Sequence, residues 1–323
     1  MEHLPEFEIQ QPKTAAEAVI LGAETGARYI GGGTDFVPNL RRGLETPVAV
    51  VDISAVSEMQ AIEETSEGLR IGASVTLEQL ISDERVNQDY SLLVQAAETI
   101  AGNTHRYSAT VGGNLCLDTR CQFYNQSEWW RKSNNYCLKY RGDICHVAPK
   151  GNICRAAFSG DLAPAMMVHG AKVELVSSEG KRTIALKDMY QEDGANYLLL
   201  KPGELLVAVI IEKLDGYQTA YRKVRVRGGV DFPLAGVAVG VKCDENLLTD
   251  IRIALTGTNS RPLLIEGVEA SFGAVADDEC ITALVKLVRA QSKPMRSTFT
   301  PGSYRNKVVA NVARRLIGEL VKR

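Results

Sequence analysis

Two short glycine runs constrain the fold of this chain more than any other feature of its sequence. The first, at residues 31–33, follows a predicted strand and leads into a predicted helix. The second, at residues 112–113, lies in a separate α/β unit further along the chain. Glycine has no Cβ, so a bound phosphate can approach the backbone N–H groups of such a loop closely. Together the loops suit a long ligand whose diphosphate is gripped from two sides; the alternative for each is an ordinary glycine-rich turn.

The glycine runs do not match the familiar nucleotide-binding signatures. A Rossmann loop would need a third small residue at the position of Phe36, and Asp52 is a poor match for its distant acidic residue. A Walker loop is excluded because no Gly-Lys-Ser/Thr follows either run. The chain also lacks the Gly-x-Ser-x-Gly elbow of serine hydrolases. The sequence therefore predicts phosphate binding without a standard motif.

The order of the predicted elements gives an α+β fold. Thr14 begins a capped helix that ends near Gly26, and a second α/β unit follows. Strands then precede helices in the last third of the chain. We expect a first domain at residues 1–214, with subdomains at about 1–55 and 56–214, and a C-terminal domain at 215–323. In that domain we expect three antiparallel strands (217–227, 234–243, 250–256) and three helices (263–272, 277–291, 303–321).

Composition and charge exclude several classes of protein. The chain has 323 residues, 45% of them apolar, which is typical of a folded globular protein. Its formal net charge of -2 gives no sequence-wide basic field for nucleic acid or an anionic membrane. Its apolar stretches fall short of the roughly 20 residues that span a bilayer, and the N-terminus has no signal-peptide pattern. We expect a cytoplasmic protein.

Five of the seven cysteines lie in an aperiodic, aromatic-rich segment at about residues 117–157 or just before it. Cys121, Cys137, Cys145 and Cys154 are separated by 15, 7 and 8 residues. No tight C-x2-4-C pair of the kind common in zinc sites is present, and the spacing does not by itself prove an iron–sulfur cluster. Free structural cysteines are the third alternative. Cys116 lies three residues after the second glycine run, and we expect it to pack near the ligand.

A basic strand is the last feature that bears on ligand binding. Residues 222–227 lie in a predicted strand, and the side chains of a strand point alternately to its two faces. Lys223, Arg225 and Arg227 should therefore lie on the same face of this strand. A solvated or subunit-facing edge is one interpretation. Contact with an anionic cofactor is the other.

These motifs, in this order, resemble the FAD-binding medium subunits of the xanthine oxidase family of molybdenum hydroxylases. The match rests on residues 29–36, 102–103, 109–114 and 160–164, and on C-terminal residues 221–223, 231–232, 252–255 and 303–305. The resemblance implies a vanillyl-alcohol oxidase or PCMH-type FAD-binding domain of two α/β subdomains, followed by a three-stranded antiparallel sheet with helices.

The resemblance also implies which residues bind FAD, and it implies no catalytic residue in this chain. Lys223 is the least secure of them, because Arg222 could take its place. The implied FAD-binding residues are Tyr29, Ile30, Gly31, Gly32, Gly33, Thr34, Asp35, Phe36, Asn103, Thr110, Val111, Gly112, Gly113, Asn114, Asp161 and Lys223.

The segment between Asn114 and Asp161 is longer than this family usually has, and its four cysteines resemble those of the β subunit in the 4-hydroxybenzoyl-CoA reductase family. That resemblance implies a 4Fe-4S cluster on Cys121, Cys137, Cys145 and Cys154. It also implies a heterohexamer, (αβγ)2, whose large subunit holds the molybdenum cofactor and whose small subunit holds 2Fe-2S clusters. Ferredoxin would supply low-potential electrons for the dehydroxylation of 4-hydroxybenzoyl-CoA to benzoyl-CoA, in anaerobic aromatic degradation.

Two rival interpretations stay open. The chain could be an ordinary hydroxylase subunit, of the xanthine or CO dehydrogenase type, that passes electrons outward to NAD or another acceptor. It could also be a non-catalytic, zinc-stabilised binding module. Bound yellow flavin would dismiss the second rival, and iron and sulfide analysis would separate the first from the reductase.

Overall fold

The computed structural model describes residues 4–322, apart from the side chains at positions 24 and 25. The chain begins with a small parallel sheet of order β1-β3-β2, and the helices of this unit are α1 and α2. Thr14 caps α1, since its Oγ1 accepts the Glu17 N–H, and Gly26 ends the helix at a left-handed φ of 60°. Both predicted helix signals are confirmed. The elements are β1 (Glu8–Gln10), α1 (Ala15–Thr25), β2 (Arg28–Ile30), α2 (Phe36–Arg41) and β3 (Ala49–Asp52).

A five-stranded antiparallel sheet forms the second unit, with the order β4-β5-β8-β6-β7. Its strands are β4 (Ile62–Thr65), β5 (Gly68–Gly72), β6 (Lys172–Ser177), β7 (Gly180–Ala185) and β8 (Leu205–Ile211). Strands β6 and β7 form an antiparallel hairpin. Seven helices lie between β5 and β6: α3 (Leu77–Ser82), α4 (Glu84–Asp89), α5 (Ser91–Glu98), α6 (Asn103–Arg106), α7 (Val111–Leu115), α8 (Glu128–Ser133) and α9 (Leu162–Val168).

The C-terminal sheet contains the three predicted strands and a short fourth one. Its order is β12-β11-β10-β9, and all neighbours are antiparallel. The elements are β9 (Gln218–Val224), β10 (Ala235–Asp244), β11 (Leu247–Thr256), β12 (Leu263–Leu264), α10 (Asp278–Gln291) and α11 (Gly302–Leu320). The predicted helix at 263–272 is wrong, because that segment is β12 followed by a 3-10 turn at Val268–Ser271.

The C-terminal sheet is covered on both faces, which explains its strongly apolar central strand. In β10, Val237 and Val239 face the C-terminal core, which α10 and α11 close. Ala238, between them, belongs to the core of the first part of the chain. This alternation follows from the period of two along a strand. The sheet therefore joins the two parts of the chain through packed side chains.

The insertion, residues 117–157, leaves the second unit after α7 and returns before α9. Backbone hydrogen bonds between Arg120 and Ala157, at 2.7 and 2.8 Å, close its base. Apart from α8 it is irregular, and it has a small core of its own that includes Cys121, Tyr124 and Cys154. In residues 4–322, no helix is long and apolar enough to cross a membrane.

Candidate functional site

The two glycine loops are in direct contact. A Cβ on Gly31 would lie 2.9 Å from Thr110 Oγ1, and one on Gly32 would overlap the carbonyl oxygen of Ser108. Gly33 has a left-handed φ of 67°, which a side chain would strain. Gly32 and Gly33 are therefore required by the local geometry, and at Gly32 the reason is the approach of the second loop.

The second glycine loop begins at a helix cap and ends at a link to the next helix. Thr110 caps α7, its Oγ1 accepting the Gly113 N–H at 3.1 Å. At the other end of α7, Asn114 Oδ1 accepts the Leu162 N–H at 3.0 Å. Leu162 is the first residue of α9, so the loop is tied to the segment that carries Asp161.

Asp161 is buried, and two residues of β9 bind its carboxylate. Lys223 Nζ lies 2.8 Å from Oδ2, and the Tyr221 hydroxyl donates to Oδ1 at 2.6 Å. The Lys223 ammonium also donates to the Thr99 carbonyl at 3.1 Å. Arg222 points the other way and pairs with Glu319 on the surface. The strand alternation thus brings Lys223, rather than Arg222, to Asp161.

Burial dominates the electrostatics of this ion pair. It raises the pKa of the Asp161 carboxyl, and the nearby Lys223 ammonium acts in the opposite direction. Burial also raises the pKa of the Tyr221 hydroxyl well above its ordinary value. Tyr221 therefore stays protonated and donates its hydrogen bond to Asp161 over the whole neutral range.

Several predicted FAD-binding residues use their side chains elsewhere. The Tyr29 hydroxyl donates to the Gly203 carbonyl at 2.7 Å, and burial raises its pKa to about 12. The Arg28 guanidinium lies 6.0 Å from the Phe36 ring centroid. Asn103 is exposed and accepts from Arg106. For these residues and for the rest of the predicted set, contact with FAD stays a prediction.

A buried arginine links the first glycine loop to the insertion. Arg120 forms an ion pair with Asp35 and donates to Asn39 Oδ1 at 3.0 Å. Its guanidinium also lies 5.2 Å from the centroid of the Phe232 ring. Burial lowers the pKa of Arg120 to about 10, which leaves it protonated at neutral pH. Arg120 directly precedes Cys121 in the sequence. This one residue therefore connects the predicted FAD-binding loop to the first of the four clustered cysteines.

The four predicted metal ligands line a single small cavity in the insertion. Its volume of about 10 Å³ is roughly that of one water molecule. Cys121, Cys145 and Cys154 are buried, and Cys137 is half-buried. The backbone N–H groups of Phe123 and Tyr124 face the Cys121 sulfur. The other lining residues are Phe123, Tyr124, Leu138, Lys139, His146, Val147 and Ala156.

The four thiols that line this cavity are free cysteines. Burial raises the pKa of Cys121, and it raises the pKa of Cys154 to about 12. Within residues 4–322, no group of three or more His, Cys, Asp or Glu side chains has the arrangement to hold a metal ion. The other three cysteines, Cys116, Cys243 and Cys280, do not line the cavity.

Buried cations hold the insertion in place. Arg131 is 1% exposed and donates to the carbonyls of Gln126, Arg42 and Gly43, the last two just beyond α2. Lys139 has a 6% exposed side chain and donates to the carbonyl of Gly194, outside the insertion, at 3.1 Å. The insertion is therefore docked by charged side chains more than by regular backbone structure.

The turn around Cys137 is strained. Three residues other than glycine that flank it, Asn135, Tyr136 and Arg141, have φ values of 56°, 58° and 59°. Left-handed backbone is unfavourable for such residues and is found preferentially at functional sites. A Cβ on Gly142 would lie 2.7 Å from the Cys137 backbone nitrogen, so glycine is needed there.

Sequence analysis missed Arg120, Lys139, Arg131 and Tyr221. Two signals were present in the sequence: Arg120 is adjacent to Cys121, and Tyr221 lies two residues before Lys223 on the same strand face. No sequence signal distinguishes Arg131 from its exposed neighbour Lys132 in α8. Their difference depends on what the helix packs against.

Family models match both parts of the chain. Residues 5–213 match the FAD binding domain in molybdopterin dehydrogenase. Residues 219–320 match the CO dehydrogenase flavoprotein C-terminal domain. The predicted α+β fold class, an FAD-binding domain followed by a C-terminal sheet with helices, is confirmed.

Individual relatives agree with these models. The chain is 35% identical over 277 residues to the aldehyde oxidoreductase FAD-binding subunit PaoB of Escherichia coli K12, covering 82% of this chain and 86% of the relative. It is 28% identical to the carbon monoxide dehydrogenase medium chain of Afipia carboxidovorans, covering 96% and 95%. The crystal structure of reconstituted CO dehydrogenase from Oligotropha carboxidovorans superimposes with a TM-score of 0.82 at 25% identity, covering 99% and 100%. The chain belongs to the FAD-binding medium subunits of the xanthine oxidase family of molybdenum enzymes.

Proposed function

We propose that this chain is an electron-transfer subunit that holds a 4Fe-4S cluster in addition to FAD. The observation that carries the proposal is the convergence of four thiols, 33 residues apart from first to last, on one cavity inside the insertion. Four thiolates are the usual ligand set of a 4Fe-4S cluster. When bound, the flavin and the cluster supply the redox chemistry, and the protein supplies binding, orientation and electrostatics.

The proposed FAD site consists of the two glycine loops and the Asp161–Lys223 pair. Because Gly31 and Gly32 lack a Cβ, the first loop packs directly against Thr110 and Ser108, and the proposed diphosphate site lies along the joined backbone of the two loops. Thr110 fixes the shape of the second loop through its hydrogen bond from Gly113. Asp161 orients Lys223, since it holds the ammonium at 2.8 Å. We assign Asp161 a positioning role rather than that of a general base, because both of its oxygens are occupied.

The donor set around the cysteine cavity fits a cluster in its chemistry. The Cys121 sulfur faces the backbone N–H groups of Phe123 and Tyr124, and the Cys154 sulfur accepts the Ala156 N–H at 3.4 Å. Such hydrogen bonds stabilise thiolates, and they are one of the means by which a protein tunes a cluster.

The direction of electron flow has two candidates. The 35% identical relative is named an aldehyde oxidoreductase subunit, which favours an oxidative enzyme that passes electrons outward. The resemblance of the insertion to 4-hydroxybenzoyl-CoA reductase favours the opposite flow, from ferredoxin toward molybdenum and an aromatic thioester. In both cases the partners are a molybdenum-containing large subunit and a 2Fe-2S small subunit. The oxidative candidate has the broader support, because it rests on most of the chain rather than on the insertion.

Metal and flavin analysis tests the proposal. Anaerobically purified full chain should contain one FAD and about four iron and four sulfide per chain. Replacing any one of Cys121, Cys137, Cys145 or Cys154 with Ser should remove this iron and leave FAD in place. Cys243→Ser is the matched control and should keep both. Zinc in place of iron, or full iron in all four variants, would refute the cluster.

A reduction assay on the complete complex tests the direction of flow. Flavin bleaching by an aldehyde, with no bleaching by reduced ferredoxin, supports the oxidative candidate. Turnover of 4-hydroxybenzoyl-CoA with reduced ferredoxin supports the reductase. These outcomes do not depend on the cysteine variants, so they separate the direction of electron flow from the presence of the cluster.

A further inference from the structure

We infer that Lys139 and Asp118 form a buried charge pair that sets the reduction potential of the group held in the cysteine cavity. The inference rests on the proposed function, because it concerns the cluster on the four thiols. It assigns Lys139 a positioning and electrostatic role, and Asp118 the role of its counter-charge.

Lys139 lies in the sequence between Cys137 and Cys145, and its side chain lines the cavity with the thiols. Its ammonium is buried and hydrogen-bonded. Nζ donates to Asp118 Oδ1 at 2.6 Å and to the carbonyls of Thr119 and Gly194, both at 3.1 Å. With a side-chain exposure of 6%, this charge is shielded little by water.

The ammonium is joined to a cluster ligand through one residue. Gly194 accepts from Lys139 through its carbonyl, and its N–H donates to the Cys154 carbonyl at 2.9 Å. Two aromatic faces complete the environment, with Nζ at 4.7 Å from the Tyr124 ring centroid and 5.9 Å from that of Tyr197. The charge is thus held at a fixed place beside the cavity.

A buried ammonium is costly to desolvate, and an apolar side chain could fill the same space more cheaply. This desolvation cost has a functional reason if the charge changes the reduction potential of the group held in the cavity. A cluster becomes more negative when it is reduced, so a nearby cation stabilises the reduced state and raises the potential. Asp118 partly cancels this effect. Asp193, whose carboxylate accepts the Cys154 N–H at 3.0 Å, adds a second negative charge nearby.

A purely structural role for Lys139 makes a different prediction. If Lys139 only ties the insertion to Gly194, then loss of Lys139 and loss of the Asp118 charge that holds it should both loosen the insertion. Neither change would then have a defined effect on potential. If the charges act electrostatically, the two changes must shift the potential in opposite directions.

The experiment is a potentiometric titration of the iron–sulfur EPR signal in the full chain, reconstituted anaerobically with iron and sulfide. Lys139→Met should shift the potential to more negative values. Asp118→Asn, which keeps the size and a hydrogen-bond acceptor, should shift it to more positive values. Lys132→Met, at an exposed lysine of the same insertion, is the matched control and should leave the potential unchanged.

The outcomes separate this inference from the proposed function. Absence of iron from the wild-type chain overturns the proposed function, and with it this inference. Iron-loaded variants with wild-type potentials, or shifts of the same sign in Lys139→Met and Asp118→Asn, overturn the inference alone. If Lys139→Met does not load iron, the potential of Asp118→Asn decides whether the charge pair acts on the cluster. An unchanged potential in Asp118→Asn would overturn the inference.

Discussion

The glycine loops and the insertion both place predicted cofactor residues close together, but they do so by different physical means. The glycine loops are positioned by helix caps and by backbone that packs against backbone, as at Gly32 and Ser108. The insertion is positioned by buried cations, chiefly Arg131 and Lys139, and by strained turns. A site of the first kind depends on close backbone packing, and a site of the second kind depends on a few buried charged side chains.

The comparison also shows where the two regions depend on each other. Arg120, at the base of the insertion, binds Asp35 and Asn39 at the start of α2. Arg131 binds the carbonyls that follow the same helix. Helix α2 is thus held from both ends by the insertion, and a change in one region can reach the other through it.

Loss of Arg131 should have the largest effect. Arg131→Met removes hydrogen bonds to several buried carbonyls and should destabilise the docked insertion by about 4 kcal/mol. Hydrogen exchange should show lost protection at residues 121–156 with the glycine loops still protected. Lys132→Met, one residue along α8, should change little. Equal protection in the two variants would mean that the insertion is docked by other contacts.

Loss of the Asp161 charge should come next. Asp161→Asn leaves the Lys223 ammonium buried without a counter-charge, which should cost about 3 kcal/mol of unfolding free energy. Chemical denaturation and flavin content measure the effect, and FAD retention should fall while any flavin that stays bound remains reducible. Arg222→Gln, at an exposed pair, should cost less than about 1 kcal/mol. An Asp161→Asn chain as stable as wild type would contradict the buried-pair interpretation.

The glycine loops should respond unequally. Gly32→Ala drives a Cβ into the Ser108 carbonyl and should weaken FAD binding by about tenfold, equivalent to about 1.4 kcal/mol. Gly113→Ala brings its Cβ within 3.0 Å of Thr110 Oγ1 alone, which can adjust, so its effect should be smaller. Flavin fluorescence titration gives both affinities. A larger loss of FAD affinity in Gly113→Ala than in Gly32→Ala would show that close approach of the phosphate, and not packing between the loops, makes glycine necessary.

The smallest effect should come from the exposed end of α8. Trp129 is 76% exposed, so Trp129→Ser should change the unfolding free energy of the chain by less than about 0.5 kcal/mol. The ring centroid of Trp130 lies 6.2 Å from that of Phe123. Trp130→Ser should therefore lower the unfolding free energy by about 1 kcal/mol or more. Urea denaturation compares the two. A large loss at Trp129 would show that this surface is packed against something in solution.

Much of the fold was predictable because its signals are local. Thr14 and Gly26 act through a hydrogen bond or a backbone angle within four residues, and both are found as predicted. The error at 263–272 has the opposite origin. The short apolar run at Leu263 and Leu264 does not distinguish helix from strand, and it forms β12 because the edge of β11 is there to pair with it.

The sequence by itself determined the glycine loops, the alternation that puts Lys223 on one face of β9, and the unusual grouping of cysteines. Tertiary structure alone decided their partners. Lys223 meets Asp161 across 62 residues, Lys139 meets Gly194 across 55, and Arg131 meets Gly43 across 88. The physical reason is that a buried charge has no local signature. Its cost is offset by whichever oxygens the packed chain brings to it, and these are fixed only when the elements assemble.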